Sequence, residues 1–282
     1  VSRSLTVAAL IGLALAAPPP LAWRIIGPGG GGSLFHPTVS PHDPRTALVA
    51  CDMTGSYITH DGGDTWRIFN LGDPVKFFLF DPIDPRVIYA KASGVFRSAD
   101  GGDTWSRFFP RDVRSITMGD DHASSLLHTP GGPTANVTAM AIDPADSRLL
   151  YLAIDSALWT SSDTGTTWQK SGDLPGAAIR IWIDAHSLKG DRTLYVGGRE
   201  AMYIRQQGRW RTSQFPGQVT DLAGAPPTFY ATIGGRIYVT TEPGVKWRES
   251  ALPGFGGNAT ALGVGLHHPE VAYVAYGGLR AP

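Results

Sequence analysis

Carboxylates, arginines and histidines recur in this chain of 282 residues where short apolar runs give way to turns. Asp52 follows the run Ala47–Ala50 and its Cys51, Asp155 follows Leu149–Ile154, Arg199 and Glu200 follow Leu194–Gly197, and Arg236 stands beside Gly235. A longer polar segment carries Asp120, Asp121 and His122, with His128 beyond it. Two carboxylates facing each other across a cleft could do acid–base work on a glycosidic bond. An inverting pair stands about 6.5–9.5 Å apart, which leaves room for the attacking water. Without such a pair, the same groups suit binding of a polar ligand such as a sugar or a peptide. Asp120, Asp121, His122 and His128 follow no metal-site spacing, so neither a metal nor a cofactor is expected. Gly29–Gly32 lacks the strand–turn–helix setting of a phosphate loop.

A second set of acids belongs to a repeated sentence. THDGGDTWRIF occupies 59–69, SADGGDTWSRF occupies 98–108, and SSDTGTTWQKS occupies 161–171. In each, an acid (Asp61, Asp100, Asp163) precedes a glycine (Gly63, Gly102, Gly165) and a tryptophan (Trp66, Trp105, Trp168) at fixed distances; a worn copy has Glu242 before Trp247. Aspartate accepts backbone N–H bonds inside a tight turn. Glycine supplies backbone shapes closed to other residues. The indole fills space between neighbouring sheets, burying on the order of 150–250 Å². These acids are therefore assigned to a structural clasp rather than to catalysis or calcium.

The elements that hold both sets follow from the period. Trp66, Trp105, Trp168, Trp210 and Trp247 are spaced by 39, 63, 42 and 37 residues. Four short strands in about 40 residues make one propeller blade. The spacing of 63 predicts an insert in one blade-to-blade connection, within Pro110–Asn136. A sixth copy starts at Ala259 and has two strands, Val271–Tyr276 being the second. The expected fold is an all-β propeller over 23–282, with about six four-stranded blades and the last incomplete, as in part of a longer chain. WRII at Trp23–Ile26 matches the fourth-strand openings WRIF, WRTS and WRES at Trp66, Trp210 and Trp247. It is expected to supply Trp23–Gly27 as the outer strand of the final blade. Turns between second and third strands share one face with the blade connections; the clasps occupy the other. The first face is the expected ligand face, with Asp52, Asp120, Asp121, His122, Asp155, Arg199, Glu200 and Arg236, and His36 on the same side.

The repeated sentence resembles the Asp-box, or BNR repeat, of sialidases, sortilin-type receptors, photosystem II assembly factors and family 74 glycoside hydrolases. These share a scaffold and not an activity. A sialidase would carry Arg-Ile-Pro near its start; this chain has Arg24-Ile25-Ile26 and no nucleophile pair. Family 74 xyloglucan hydrolases carry a Gly-rich stretch and then Thr-Asp-x-Gly-Gly-Ala-Tyr. CDMTGSY at 51–57 is similar to that motif at Asp52, Gly55 and Tyr57 and departs from it at Cys51 and Thr54. The resemblance implies Asp52 as catalytic base, adds Tyr57 to the ligand face, and implies an acid from a second propeller. A carbohydrate- or protein-binding scaffold is the favoured role. An endo-acting hydrolase and a peptide-gripping receptor or assembly factor are the alternatives.

Bulk composition narrows the partners. Lys plus Arg and Asp plus Glu each number 24, so no basic footprint for nucleic acid exists. Arg3 followed by the apolar run Leu5–Ala17 reads as a signal peptide, 1–16 or alternatively 1–22, too short to span a membrane. A secreted or periplasmic protein is expected. Cys51 is the sole cysteine, which rules out an intrachain disulfide and suits a buried thiol.

Overall fold

Apolar runs of four to seven residues, closed off by Asp, Gly and Pro, favour strands over helices. A computed structural model describes residues 24–29, 32–53, 55–118, 125–130, 136–242, 246–250, 257–265 and 268–277. Among them every regular element is a strand. No helix of the described residues is long and apolar enough to cross a membrane.

Five four-stranded antiparallel sheets follow one another, each in simple meander order. Blade 1 comprises β1 (Leu34–Val39), β2 (Ala47–Cys51), β3 (Gly55–Thr59) and β4 (Arg67–Asn70). Blade 2 comprises β5 (Phe77–Phe80), β6 (Ile88–Lys91), β7 (Val95–Ser98) and β8 (Ser106–Phe109). The insert folds as a hairpin of β9 (Ser115–Met118) and β10 (Ser125–His128). Blade 3 comprises β11 (Val137–Asp143), β12 (Asp146–Ile154), β13 (Ala157–Ser161) and β14 (Gln169–Asp173). Blade 4 comprises β15 (Arg180–Ile183), β16 (Leu194–Gly197), β17 (Ala201–Gln206) and β18 (Arg209–Gln214). Blade 5 comprises β19 (Val219–Ala225), β20 (Thr228–Ile233), β21 (Arg236–Thr240) and β22 (Arg248–Glu249). A sixth sheet has two strands, β23 (Asn258–Val264) and β24 (Ala272–Gly277).

A single sheet cannot bury both its faces, so each blade packs on the next. Tyr89 and Phe108 of blade 2 share a core with Met140 and Leu150 of blade 3. Leu48 and Ile58 of blade 1 likewise meet Phe78 and Ile88 of blade 2. One buried ion pair also ties neighbours: Arg192, before β16, donates from Nε to Asp143 Oδ2 at 2.6 Å and from Nη2 to Oδ1 at 3.0 Å.

The clasps form as their residues dictate. In blade 2, Asp100 Oδ1 accepts from Ser98 Oγ at 2.7 Å and from the Thr104 amide at 2.9 Å, while Oδ2 accepts from Thr104 Oγ1 at 2.5 Å. Ser98 Oγ in turn accepts from the Gly102 amide at 2.8 Å. Asp61 and Asp163 repeat the pattern. These bonds stabilise the ionised form and depress the carboxyls, Asp100 and Asp163 to about 2 and Asp61 further still. Blade 4 drops the clasp. Its β17–β18 turn uses Gln207 at φ 50° and Gly208 at φ 71°, a left-handed pair that closes a two-residue hairpin.

The chain's beginning departs from expectation in one respect. Arg24–Gly27 forms no strand and pairs with neither β23 nor β24; Trp23 lies outside the described residues. The segment rests on blade 1 instead, where the Ile26 carbonyl accepts from Trp66 Nε1 at 2.7 Å and Arg24 pairs with Asp64 at 2.8 Å. That seat recurs along the chain. Arg67 pairs with Asp103 of the next clasp at 3.1 Å, and Phe69 stacks on Trp105 at 5.1 Å. Phe108 meets Trp168 edge-on, and Ser213 Oγ accepts from Trp247 Nε1. Ile26, Phe69, Phe108 and Ser213 each stand three residues after a tryptophan. Arg24–Ile26 therefore occupies the place of a fourth strand preceding blade 1, without the pairing that would make it one.

Candidate functional site

In an antiparallel blade the β2–β3 turn and the β3–β4 clasp lie at opposite ends of the sheet. Asp52 thus stands on the face away from Asp61. The turn is tied to the blade's entrance: Asp52 N–H donates to the Ser33 carbonyl, and Asp52 Oδ1 accepts from the Ser33 amide, both at 3.1 Å. Cys51, buried, points its thiol at the same oxygen from 3.4 Å. Gly32 makes this arrangement possible. Its φ is +98°, and a Cβ there would lie 2.5 Å from Asp52 Oδ1. Asp52 itself is exposed, and its Oδ2 has no hydrogen-bond partner among the described residues.

Asp155 repeats the device in blade 3. Its Oδ1 accepts from Asn136 Nδ2 at 2.8 Å, and Asn136, like Ser33, immediately precedes a first strand. Arg199 and Glu200 form the exposed β16–β17 turn on the same face, with their carbonyls bonded to Val219 and Phe215. Arg236 opens β21 and pairs with Glu249 Oε1 at 2.7 Å, so its charge is committed within the blade. Tyr57 does not join this face. It is the third residue of β3, across from Val49 and Ile68, and strand geometry directs it to the blade's flank. Asp120, Asp121 and His122 lie outside the described residues. The insert hairpin does cover the blade 2 turn, with Leu127 3.3 Å from where a Cβ on Gly94 would stand. His128 Nε2 is within 2.9 Å of Thr117 Oγ1 inside that hairpin.

His36, expected on this side, has a backbone setting that spacing alone did not reveal. The β1–β2 register breaks between Phe35 and Thr38, and His36 adopts φ 54° at the bulge. Bulges re-aim side chains beside functional sites, and proline inside a strand marks an edge or a bulge. Pro37 is that signal here, on the innermost strand. The His36 imidazole is held below its ordinary pKa by the surrounding protein first, then by Arg180 and Lys76, with Asp221 opposing. These neighbours belong to blades 4, 2 and 5. Arg180 reaches Asp221 at 3.7 Å. Nearby, burial pushes Lys91 down to about 8 against the pull of Asp73, and its ammonium donates to the Ala92 carbonyl. No group of three or more metal-ligating side chains occurs among the described residues.

No family model matches the chain. It is 25% identical over 286 residues to xyloglucanase Xgh74A of Acetivibrio thermocellus, covering 93% of this chain and 31% of the relative. The chain is a GH74 xyloglucanase-like β-propeller. A xyloglucanase from a Paenibacillus species is 26% identical over 278 residues, covering 84% of this propeller and 26% of the enzyme. This propeller therefore spans less than a third of the length of these curated relatives. Among solved structures, the GH74 xyloglucanase from Xanthomonas campestris superposes with a TM-score of 0.61 at 16% identity, over 86% of this chain and 43% of that one. YCF48 from Cyanidioschyzon merolae gives 0.56 at 17% identity, over 88% and 80%. Both likenesses concern the fold.

Proposed function

We propose that this xyloglucanase-like propeller binds a polysaccharide on the face that carries Asp52, and binds it without cutting it. The observation that carries the proposal is the posture of Asp52: one oxygen is anchored to Ser33 beside Gly32, and the other has no hydrogen-bond partner among the described residues, on an exposed turn. A carboxylate held this way accepts sugar hydroxyls at little cost in side-chain entropy. Exposed Met53 beside it offers apolar surface to the C–H face of a sugar ring. Hydrolysis needs a second, protonated carboxyl across the cleft. Of the other carboxylates on described turns of this face, Asp155 accepts from Asn136 two blades away, and Glu200 belongs to the β16–β17 turn of blade 4. The leader-like run Leu5–Ala17 fits an extracellular target.

Affinity electrophoresis in gels containing xyloglucan tests the proposal, with reducing-sugar release measured in parallel. Retardation without release is expected, with Asp52→Asn weakening retardation. Xyloglucan hydrolysis that disappears in Asp52→Asn would establish the enzyme instead, with Asp52 as its base. Absence of retardation removes the polysaccharide assignment.

A further inference from the structure

We propose that the cluster of His36, Lys76 and Arg180, set at the starts of innermost strands on the Asp52 face, is a carboxylate-binding site that selects a uronic-acid residue of the bound glycan. The inference rests on the polysaccharide assignment and adds a second recognition point to it.

Three blades contribute. Lys76 directly precedes β5, Arg180 begins β15, and His36 lies at the β1 bulge, all at the ends of innermost strands on the Asp52 face. Lys76 is exposed and makes no side-chain hydrogen bond or ion pair among the described residues. Asp221 does not cancel the site. Its Oδ1 accepts from the Leu222 amide and its Oδ2 from the Leu262 amide, both at 2.8 Å, leaving a 3.7 Å approach that holds Arg180 in position. A guanidinium positioned this way presents donors in a fork suited to carboxylate.

The remaining contacts favour a sugar over a bare anion. Phe35 is 46% exposed, and its ring lies 6.3 Å from that of His36. An exposed aromatic face packs against pyranose C–H groups, while a neutral imidazole carries one donor and one acceptor, which together match a hydroxyl. The left-handed backbone at His36 belongs with this role. Such conformations are sparsely populated and concentrate at ligand sites.

Titration calorimetry with D-glucuronate, D-glucose and acetate on the full chain tests the site. Glucuronate should bind, with glucose at least about tenfold weaker, the scale of one lost charged hydrogen bond, and acetate also weaker because it lacks the ring that packs on Phe35. Lys76→Gln and Arg180→Gln should each weaken glucuronate by a similar factor. The Lys76 side chain makes no hydrogen bond or ion pair among the described residues, so its variant keeps the test valid if Arg180→Gln misfolds. Raising salt from about 0.01 to 0.15 M should weaken binding further. Glucuronate binding no tighter than glucose, or unchanged in Lys76→Gln, overturns the proposal. So does acetate binding as tightly as glucuronate. A peptide with a free C-terminal carboxylate that outcompetes glucuronate, and loses binding in the same variants, would reassign the site to peptides. Retained xyloglucan retardation with no glucuronate binding sinks this inference alone.

Discussion

The indole N–H of Trp66 donates to the carbonyl of Ile26, forty residues earlier, and the same contact sets Ile26 against Gly63. A Cβ on Gly63 would stand 2.7 Å from both Ile26 Cβ and its carbonyl oxygen, at φ +90°. Gly63→Ala should therefore cost about 1–3 kcal/mol, and deleting residues 24–28 should lower the melting temperature. Deleting residues 1–16 should leave it unchanged. Equal melting temperatures for the two truncations would show that the seat on blade 1 contributes nothing.

The clasp acids set an acid limit on stability. Asp100 and Asp163 fall to about 2 in the folded chain, below the ordinary value near 3.9 of an unfolded aspartate. Their stabilisation is then complete above about pH 4 and is lost as pH falls through about 2. Melting temperature should drop across that window. The Asp100→Asn, Asp163→Asn double variant should melt lower at pH 7 and show a shallower acid drop. Parallel curves would dissociate the clasps from acid unfolding.

Trp105 is half-buried, packs on the blade 1–blade 2 core and stacks on Phe69 with ring planes 11° apart. Trp105→Ala should cost about 3 kcal/mol in urea unfolding, the lower end for a large aromatic. A double-mutant cycle with Phe69→Leu should return a coupling of about 0.5–1.5 kcal/mol. Additive effects would mean the stack is incidental.

The Asp143–Arg192 pair is almost wholly inaccessible, with side chains 0% and 3% exposed. Removing one partner strands a buried charge, so Asp143→Leu should destabilise by about 3–5 kcal/mol. Adding Arg192→Met should recover part of this. Recovery stays partial because Arg192 also donates to the Ala185 and Ser187 carbonyls. Equal stability for the single and double variants would refute this account.

Gly32→Ala forces a Cβ onto Asp52 Oδ1 and onto Cys51 Sγ, 3.0 Å away. Xyloglucan retardation should weaken as much as in Asp52→Asn. Unaltered retardation would separate Asp52's posture from ligand binding.

What was legible in the sequence follows contact range. Ser98, Asp100, Gly102 and Thr104 make the blade 2 clasp within seven residues, so its chemistry could be read from one line of text. The strand Leu194–Gly197 was bounded correctly because turns flank it closely. WRII declared its seat through Ile26 but not its pairing, since pairing depends on strands at the far end of the chain. Tyr57 kept the spacing of the xyloglucanase motif, yet alternation along β3 sent it to the flank. His36 was placed on the ligand side, but its setting was not legible. Its setting needs a bulge and three neighbours at 76, 180 and 221, and no local pattern encodes contacts of that separation.

The seating of three fourth strands, β4, β8 and β18, on the next blade has a mechanical consequence. Tension applied at the chain's start is borne first by Ile26 on Gly63 and Arg24 on Asp64, before any blade's own ladder takes load. Four-residue β4 then transmits it to blade 2 through Phe69 and Arg67. A pulling experiment on this propeller should register a small early rupture from the unpaired leading segment, followed by larger, blade-sized extensions.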